Sequence, residues 1–192
     1  LHLCHHNLEN ISDYNSTNAK DNLLLEVCMA AYYEGDSINT PYPKHKQIYG
    51  DSASEMCTML ARSFADIGDI VRGRDLYRGN KQEKEKRDEL EKNLKTIFKN
   101  IKKNNESKLG RLSLDQVREY WWEENRETVW KAITCEANGT YFHATCNDTG
   151  KGPSQTHNKC RCDKDKGGKA GKTSDNVNIV PTYFDYVPQY LR

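Results

Sequence analysis

Ser54-Glu-Met-Cys-Thr-Met-Leu-Ala-Arg-Ser-Phe-Ala-Asp-Ile-Gly-Asp-Ile-Val-Arg-Gly-Arg-Asp-Leu76 decides the architecture of this chain. Met56, Met59, Leu60, Phe64, Ile67, Ile70 and Val71 recur with a period near 3.6, which predicts a helix over about 54–76 with one face in a core. Ser52 or Ser54 is placed to cap it. On the opposite side Arg62 and Asp66 stand four residues apart and can pair weakly. Gly68 costs about 1 kcal/mol relative to Ala inside a helix, and suits a place where another helix comes close.

Three more helices read outward from it. Residues 81–104 carry Leu90, Leu94, Ile97, Phe98 and Ile101 as a narrow apolar stripe in an otherwise charged stretch, so one face is buried and the rest solvated. Its acidic residues come early and its basic residues late, which suits the helix dipole. Ser113 with Gln116 is a capping-box signature. It opens a helix over 113–134 bearing Val117, Trp121, Val129, Trp130 and Ile133. Trp122 cannot share the direction of Trp121, so one of the two meets a second packing partner. Upstream, Asp21-Asn22 offers caps for a helix with Leu23, Leu24, Val27, Ala30 and Ala31 on one face and Cys28 on or beside it. Gly35 stops that helix, and Thr40-Pro-Tyr-Pro43 is an extended linker. The predicted core is Met59, Phe64, Ile67, Val71, Leu90, Leu94, Ile97, Phe98, Val117, Trp121 and Ile133.

The chain holds 7 cysteines in 192 residues. From Cys135 to about Lys172 the apolar pattern fails, and cysteines stand where a core would be. An oxidised extracellular protein uses such a run to pin loops. Cys135, Cys146, Cys160 and Cys162 are predicted to be oxidised, mostly among themselves, with Cys160 and Cys162 taking different partners. Three connectivities remain open for the four. The odd count leaves one of Cys4, Cys28, Cys57, Cys135, Cys146, Cys160 and Cys162 without a partner in this chain. Zinc on Cys146, His157, Cys160 and Cys162 is disfavoured, because the close pair is C-x-C and structural zinc sites favour C-x2-4-C.

Lys and Arg number 29 against 28 Asp and Glu, for a net charge of +1, so global charge points to no partner and any attraction is local. Mean hydropathy is −0.96. No run approaches the roughly 20 apolar residues that span a bilayer. Sequons stand at Asn10, Asn15, Asn105, Asn138 and Asn147. Both ends of the sequence read as cuts within a larger ectodomain. At the far end Val177, Ile179, Val180, Tyr183, Phe184, Tyr186, Val187, Tyr190 and Leu191 restore apolar character, and Pro188 suits the first turn of a helix.

No Walker loop, GxSxG or HExxH is present. His5 and His6 near Cys4 lack an oxyanion signature and an orienting group, so they read as exposed histidines. The chain is therefore read as a non-enzyme without metal or cofactor. Two basic clusters stand out: Lys95, Lys99, Lys102, Lys103, Lys108 and Arg111 around a helix C-terminus, and Lys151, Lys159, Arg161, Lys164, Lys166, Lys169 and Lys172 in the cysteine-rich loop. Each single lysine fits a solvated face. As clusters on an oxidised fragment they suit a sulfated polysaccharide, whose repeating anions reward clustered cations. The oxidised context disfavours nucleic acid. Glu119-Tyr-Trp-Trp-Glu123 fits a core position better than a ligand face.

Ala61-Arg-Ser-Phe-Ala-Asp-Ile-Gly-Asp-Ile-Val-Arg-Gly-Arg-Asp75 resembles the signature of the alpha-class Duffy-binding-like domain of the Plasmodium falciparum erythrocyte membrane protein adhesins. Similar blocks are Leu3-Cys4, Leu24-Leu-Glu-Val-Cys-Met-Ala-Ala31, Tyr33-Glu-Gly35, Arg118-Glu-Tyr-Trp-Trp122, Val129-Trp-Lys-Ala-Ile-Thr-Cys135, Cys160-Arg-Cys162 and Pro181-Thr-Tyr-Phe-Asp-Tyr-Val-Pro-Gln-Tyr-Leu-Arg192. They run from end to end of the chain.

The resemblance implies a mostly α, disulfide-stabilised fold. A loop-rich first subdomain with one helix would span 1–53. A helical-bundle subdomain would span 54–180 with its cysteine-rich loop at 135–172. Residues 181–192 would begin the connection to a third subdomain, absent here and a home for the unmatched cysteine. Variable stretches would be 78–112, 136–159 and 163–178. The resemblance also implies display on the extracellular face of the infected erythrocyte membrane, as part of a larger membrane-anchored protein. Implied partners are a host cell-surface receptor (heparan sulfate, complement receptor one or blood-group sugars), neighbouring domains of the same polypeptide, and antibodies. Little N-glycan is added in that setting, which would leave the sequons largely unused. The family supplies no universal contact motif. Two functions follow: an adhesion module in rosetting or cytoadhesion, or a structural spacer with variable antigenic surface that orients neighbouring domains.

Overall fold

The computed structural model describes residues 18–40, 53–76, 79–137, 146, 155–156, 159–162 and 180–192. The helices in chain order are α1 (Ala19–Asn39), α2 (Ala53–Arg72), α3 (Lys81–Asn104), the single turn α4 (Glu106–Leu109) and α5 (Leu114–Ile133), followed by 3-10 turns at Phe184–Tyr186 and Gln189–Leu191. The fold is mostly helical, and among the described residues extended structure is limited to single bridging positions at Cys146 and Arg161.

Helix α5 is the centre of the bundle, with α1, α2 and α3 packed around it. Its adjacent tryptophans diverge as their spacing requires. Trp121 meets Phe98 of α3 edge-on at 6.0 Å, and Trp122 meets Phe64 of α2 at 5.1 Å. Trp130 closes on Phe64 from the other side, also at 5.1 Å. Phe64 thus lies between Trp122 and Trp130, while Arg118 reaches the carbonyl of Val71, so α2 runs antiparallel to α5. Gly35 of α1 meets the last residue of α5, Ile133, so the long α1 contact must extend back along α5 and the two run parallel. Buried Glu34 of α1 accepts from Ser63 Oγ of α2 at 2.9 Å.

Every predicted core residue is buried except Met59, which is 40% exposed. Met59 follows Cys57 and Met56 on a helix whose inward arc is already filled by Met56, Leu60, Phe64 and Ile67. Asp66 also differs from expectation: it faces Arg192 at 3.6 Å rather than Arg62.

The helix ends correct the sequence reading in three places. Helix α1 begins at Ala19, with the Asn22 N–H bonded to the Asn18 carbonyl, so Asp21 and Asn22 lie in its first turn and do not cap it. It also continues through Gly35 to Asn39. Helix α2 stops at Arg72, four residues short of Leu76, because Gly73 takes φ 73°. There the Gly73 N–H bonds to Ile70 O and the Arg74 N–H to Asp69 O, which is the Schellman pattern that satisfies the last carbonyls. The capping box of Ser113 and Gln116 is present, and Asn80 with Glu83 forms a second one at the start of α3.

Gly35 does not end a helix because its role is close approach. A Cβ there would lie 2.0 Å from the Ile133 carbonyl oxygen, so the α1 and α5 backbones touch. Gly68 serves α2 the same way against the Trp122 ring, at 2.7 Å. Gly35→Ala is expected to destabilise the bundle by about 1–3 kcal/mol, since backbone must move. Urea unfolding checks this; a variant within 0.5 kcal/mol of the parent (~ the scatter of surface substitutions) would mean that α1 does not pack this closely.

Candidate functional site

The basic cluster at the end of α3 divides in two. Lys99, Lys103, Lys108 and Arg111 are exposed, and among the described residues none of them has a hydrogen bond or ion pair from its side chain. Lys102 and Lys103 sit in the last helical turn, where the orphan carbonyls favour cations. Lys102, however, donates from Nζ to the Leu112 carbonyl at 2.6 Å, tying the end of α3 to the start of α5. Lys95 leans on Glu91 at 3.4 Å. The surface open to an anion is therefore Lys99, Lys103, Lys108 and Arg111.

The second cluster is partly structural. Lys159 Nζ donates to the Cys135 carbonyl at 3.2 Å. Arg161 donates from Nε to Thr134 Oγ1 at 2.6 Å and from NH2 to the Lys131 carbonyl at 2.8 Å. Both cations thereby fasten the cysteine-rich segment to the C-terminal end of α5. Lys151, Lys164, Lys166, Lys169 and Lys172 lie outside the described residues.

Among the described residues the disulfides are Cys57–Cys160 and Cys146–Cys162. Cys160 and Cys162 do take different partners. The expectation that the four clustered cysteines pair mostly among themselves is corrected. Cys160 leaves the cluster for Cys57 of α2, and Cys135 is a free thiol, as is Cys28. The physical reason is depth. Cys160 is fully buried beside Trp130, whose Nε1 donates to the Cys160 carbonyl at 3.0 Å, so the loop is anchored in the core and not only to itself. Cys57 shares the buried arc of Met56 and Leu60, and that register is a signal the sequence carried. With Cys146, Cys160 and Cys162 in disulfides, no thiolate remains among them for a metal. Cys4 lies outside the described residues.

Sequence reasoning missed a buried ionic system that seats residues 180–192 on the bundle. The Asp185 carboxylate, 1% exposed, accepts from Trp122 Nε1 at 2.9 Å and from Arg126 Nε and NH2 at 2.7 and 2.8 Å. Arg126 also donates to the Thr182 carbonyl at 2.9 Å, and its guanidinium lies 5.6 and 5.2 Å from the Tyr183 and Tyr186 rings. Arg72 bonds to Asp69 and to the Asp185 carbonyl, and Arg192 reaches Asp69. On the far side Arg118 grips Glu91 with two bonds of 2.8 and 2.9 Å. Burial pushes the Glu91 carboxyl up, but Arg118 and Lys95 outweigh it and hold it below its ordinary value. Glu91 therefore adds stability that is lost as pH falls through its folded pKa. Asp66 and Asp69 are instead pushed up, chiefly by burial, against the pull of Arg192.

A cleft of about 300 Å³ opens between α3 and the turn after α2. Of its lining charges, Arg87 pairs with Asp75 and Glu91 with Arg118 and Lys95, while Lys84 and Asp88 stand at its rim.

The profile of the Duffy binding domain family matches residues 1–192. The chain belongs to that family. No curated protein matches it. Among solved structures it is similar to the NTS-DBL1(alpha-1) domain of Plasmodium falciparum membrane protein 1 (PfEMP1) from the varO strain, with 34% identity and a TM-score of 0.70 over 99% of this chain and 40% of that one. The NTS-DBL1-alpha and CIDR-gamma double domain of the same strain matches with 34% identity and a TM-score of 0.70, over 99% of this chain and 25% of that one. The ICAM-1-binding PfEMP1 IT4var13 DBLbeta domain matches with 33% identity and a TM-score of 0.59, over 71% of this chain and 33% of that one. The chain thus spans less than half of these solved relatives. The alpha-class Duffy-binding-like character read from Ala61–Asp75 and its companion blocks agrees with the two DBL1-alpha neighbours.

Proposed function

We propose that this Duffy binding domain is a cell-adhesion module of a variant surface antigen, displayed on the extracellular face of infected erythrocytes and contacting a host receptor. The observation that carries this reading is the likeness to a DBLbeta domain that has also been solved bound to ICAM-1, at 33% identity over 71% of this chain. Two disulfides suit an oxidising, extracellular setting. The receptor class that the surface fits is a sulfated glycan such as heparan sulfate, met by Lys99, Lys103, Lys108 and Arg111 with Lys164, Lys166, Lys169 and Lys172. Lysine ammonium groups are mobile point charges that meet hydrated sulfates at low desolvation cost. The reading includes the three-part division at 53 and 180, with residues 181–192 leading to a third subdomain.

A second reading has its own observation. The buried Asp185–Arg126 pair fixes residues 180–192 against α5, as a spacer that orients a neighbouring domain would require.

Heparin chromatography separates the two. Charge reversal at Lys99 and Lys103 combined with Lys169 and Lys172 is expected to lower the eluting salt concentration markedly, with the helical circular dichroism unchanged. Retention should weaken with salt in the parent, since exposed charges act over a Debye length of about 8 Å at physiological ionic strength. Lys102 is left intact in this variant because it holds Leu112. Unchanged retention would favour the spacer.

A further inference from the structure

The exposed cations at the end of α3 lie on two pieces of chain. Lys99 and Lys103 stand four residues apart on α3, about 6 Å along one face of the helix. Lys108 belongs to the single turn α4, and Arg111 follows Gly110. Leu109 and Leu112 pack against the core, and Lys108 and Arg111, each one residue earlier, are left outside. Like charges this close repel, which pushes the connection between α3 and α5 outward. Lys102 draws it back. Its Nζ donates to the Leu112 carbonyl at 2.6 Å and closes a loop that contains Lys103, Lys108 and Arg111. We infer that Lys102 is a positioning residue for anion binding: by holding Leu112 it keeps Lys99, Lys103, Lys108 and Arg111 together as one surface, a role that rests on the sulfated-glycan reading of these four.

The environment of Lys102 suits this role. It is half-buried where Lys99 and Lys103 are exposed. Its ammonium rests on an uncharged carbonyl, so its positive charge is not cancelled and still adds to the local field. The connection itself is hydrogen-bonded along its length. The Asn105 N–H reaches the Lys102 carbonyl at 3.2 Å, and Asn105 Nδ2 reaches the Ile101 carbonyl at 3.0 Å. The Lys108 and Leu109 N–H groups share the Asn105 carbonyl at 3.0 and 2.8 Å, Gly110 bonds to the Glu106 carbonyl, and Leu112 to the Leu109 carbonyl. The bond from Lys102 then joins the far end of this connection back to α3. A polyanion therefore meets cations that are already gathered, and binding loses little entropy in ordering them. With the bond removed, Lys108 and Arg111 ride on a connection that shifts relative to Lys99 and Lys103.

The test is heparin binding by the intact 192-residue chain at a series of salt concentrations, alongside hydrogen exchange. A cation that touches one anionic group of a polyanion contributes about one unit to the slope of log affinity against log salt. Lys99→Met, the loss of a single contact, is expected to lower the slope by about one. Lys102→Met is expected to lower it by about two or more, because several contacts weaken together. The same variant should speed exchange at Leu109, Gly110 and Leu112, with α5 unchanged. Lys102→Arg keeps a charged donor of similar reach and is expected to restore both readouts. A Lys102→Met slope lowered by only about one, with exchange unchanged, would make Lys102 a further contact and overturn the positioning role. Faster exchange with unaltered heparin binding would overturn it too, leaving a bond that serves the fold alone. A parent that shows no salt-dependent heparin binding would sink the glycan reading itself, and the role of Lys102 with it.

Discussion

Asp185→Ala is expected to lower the stability of the domain by about 3–5 kcal/mol, as removal of one partner from a buried ion pair does. Three donors converge on this carboxylate, Trp122 Nε1 and two nitrogens of Arg126. Deleting it removes the carboxylate that faces the buried Arg126 guanidinium, whose other contacts include the Thr182 carbonyl and aromatic faces. The uncompensated charge, more than the lost bonds, sets the size of the effect. Asp185→Asn separates the two contributions, because it keeps the shape and an acceptor oxygen but removes the charge.

The loss should also be local before it is global. Residues 180–192 carry exposed Tyr183, Tyr186, Tyr190 and Leu191, so polar contacts hold the segment more than apolar burial does. Hydrogen exchange at 182–187 is expected to accelerate in Asp185→Ala while the amides of α5 keep most of their protection. Urea unfolding supplies the global figure. A midpoint within experimental error of the parent would mean that solvent reaches Arg126 and that the pair is not a buried lock.

Four helices and nearly all of the core were legible in the sequence because apolar periodicity reports burial directly. Leu90, Leu94, Ile97 and Phe98 are the clear case: charged residues surround them, so the stripe has no competing reading. Gly35 misled because a glycine inside a helix and one beyond its end look alike in sequence. Only the Ile133 backbone, nearly a hundred residues away (about 98 positions), distinguishes them. Arg118 and Arg126 were invisible for a different reason. Arginine is read as solvated, yet Arg118, Trp122, Asn125, Arg126 and Val129 share one register at i, i+4, i+7, i+8 and i+11, and all five are buried. That register was available in the sequence. Their acidic partners Glu91 and Asp185 were not, since long-range pairing leaves no local pattern. The candidate basic surface was legible as composition. Which of its members are committed elsewhere, such as Lys102 and Arg161, depends on carbonyls that only the fold brings near.

The second large effect is expected at Cys57–Cys160. This bond spans 103 residues, and cross-linking a loop of about 100 residues removes unfolded-state entropy worth about 4.7 kcal/mol in the chain-entropy account. Cys146–Cys162 spans 16, for which the same account gives about 3 kcal/mol. The double variant Cys57→Ala, Cys160→Ala should therefore destabilise more than Cys146→Ala, Cys162→Ala. The ordering has a second cause. Cys160 is wholly buried and its carbonyl holds the Trp130 indole, so losing the bond also loosens the tryptophan that packs on Phe64. Trp130 fluorescence is expected to shift to longer wavelength in the first variant, before global unfolding, and not in the second. Both pairs must be removed as pairs, because single substitutions leave a reactive thiol that can exchange with the remaining bond. Equal midpoints for the two double variants would sink the loop-length account and leave local strain or residual unfolded structure to explain the bonds. If the variant lacking Cys57–Cys160 still kept its heparin retention while losing stability, the cross-link would serve the scaffold and the exposed lysines of α3 would act independently of it. That outcome is expected if adhesion lives on Lys99, Lys103, Lys108 and Arg111, since the disulfide touches none of them.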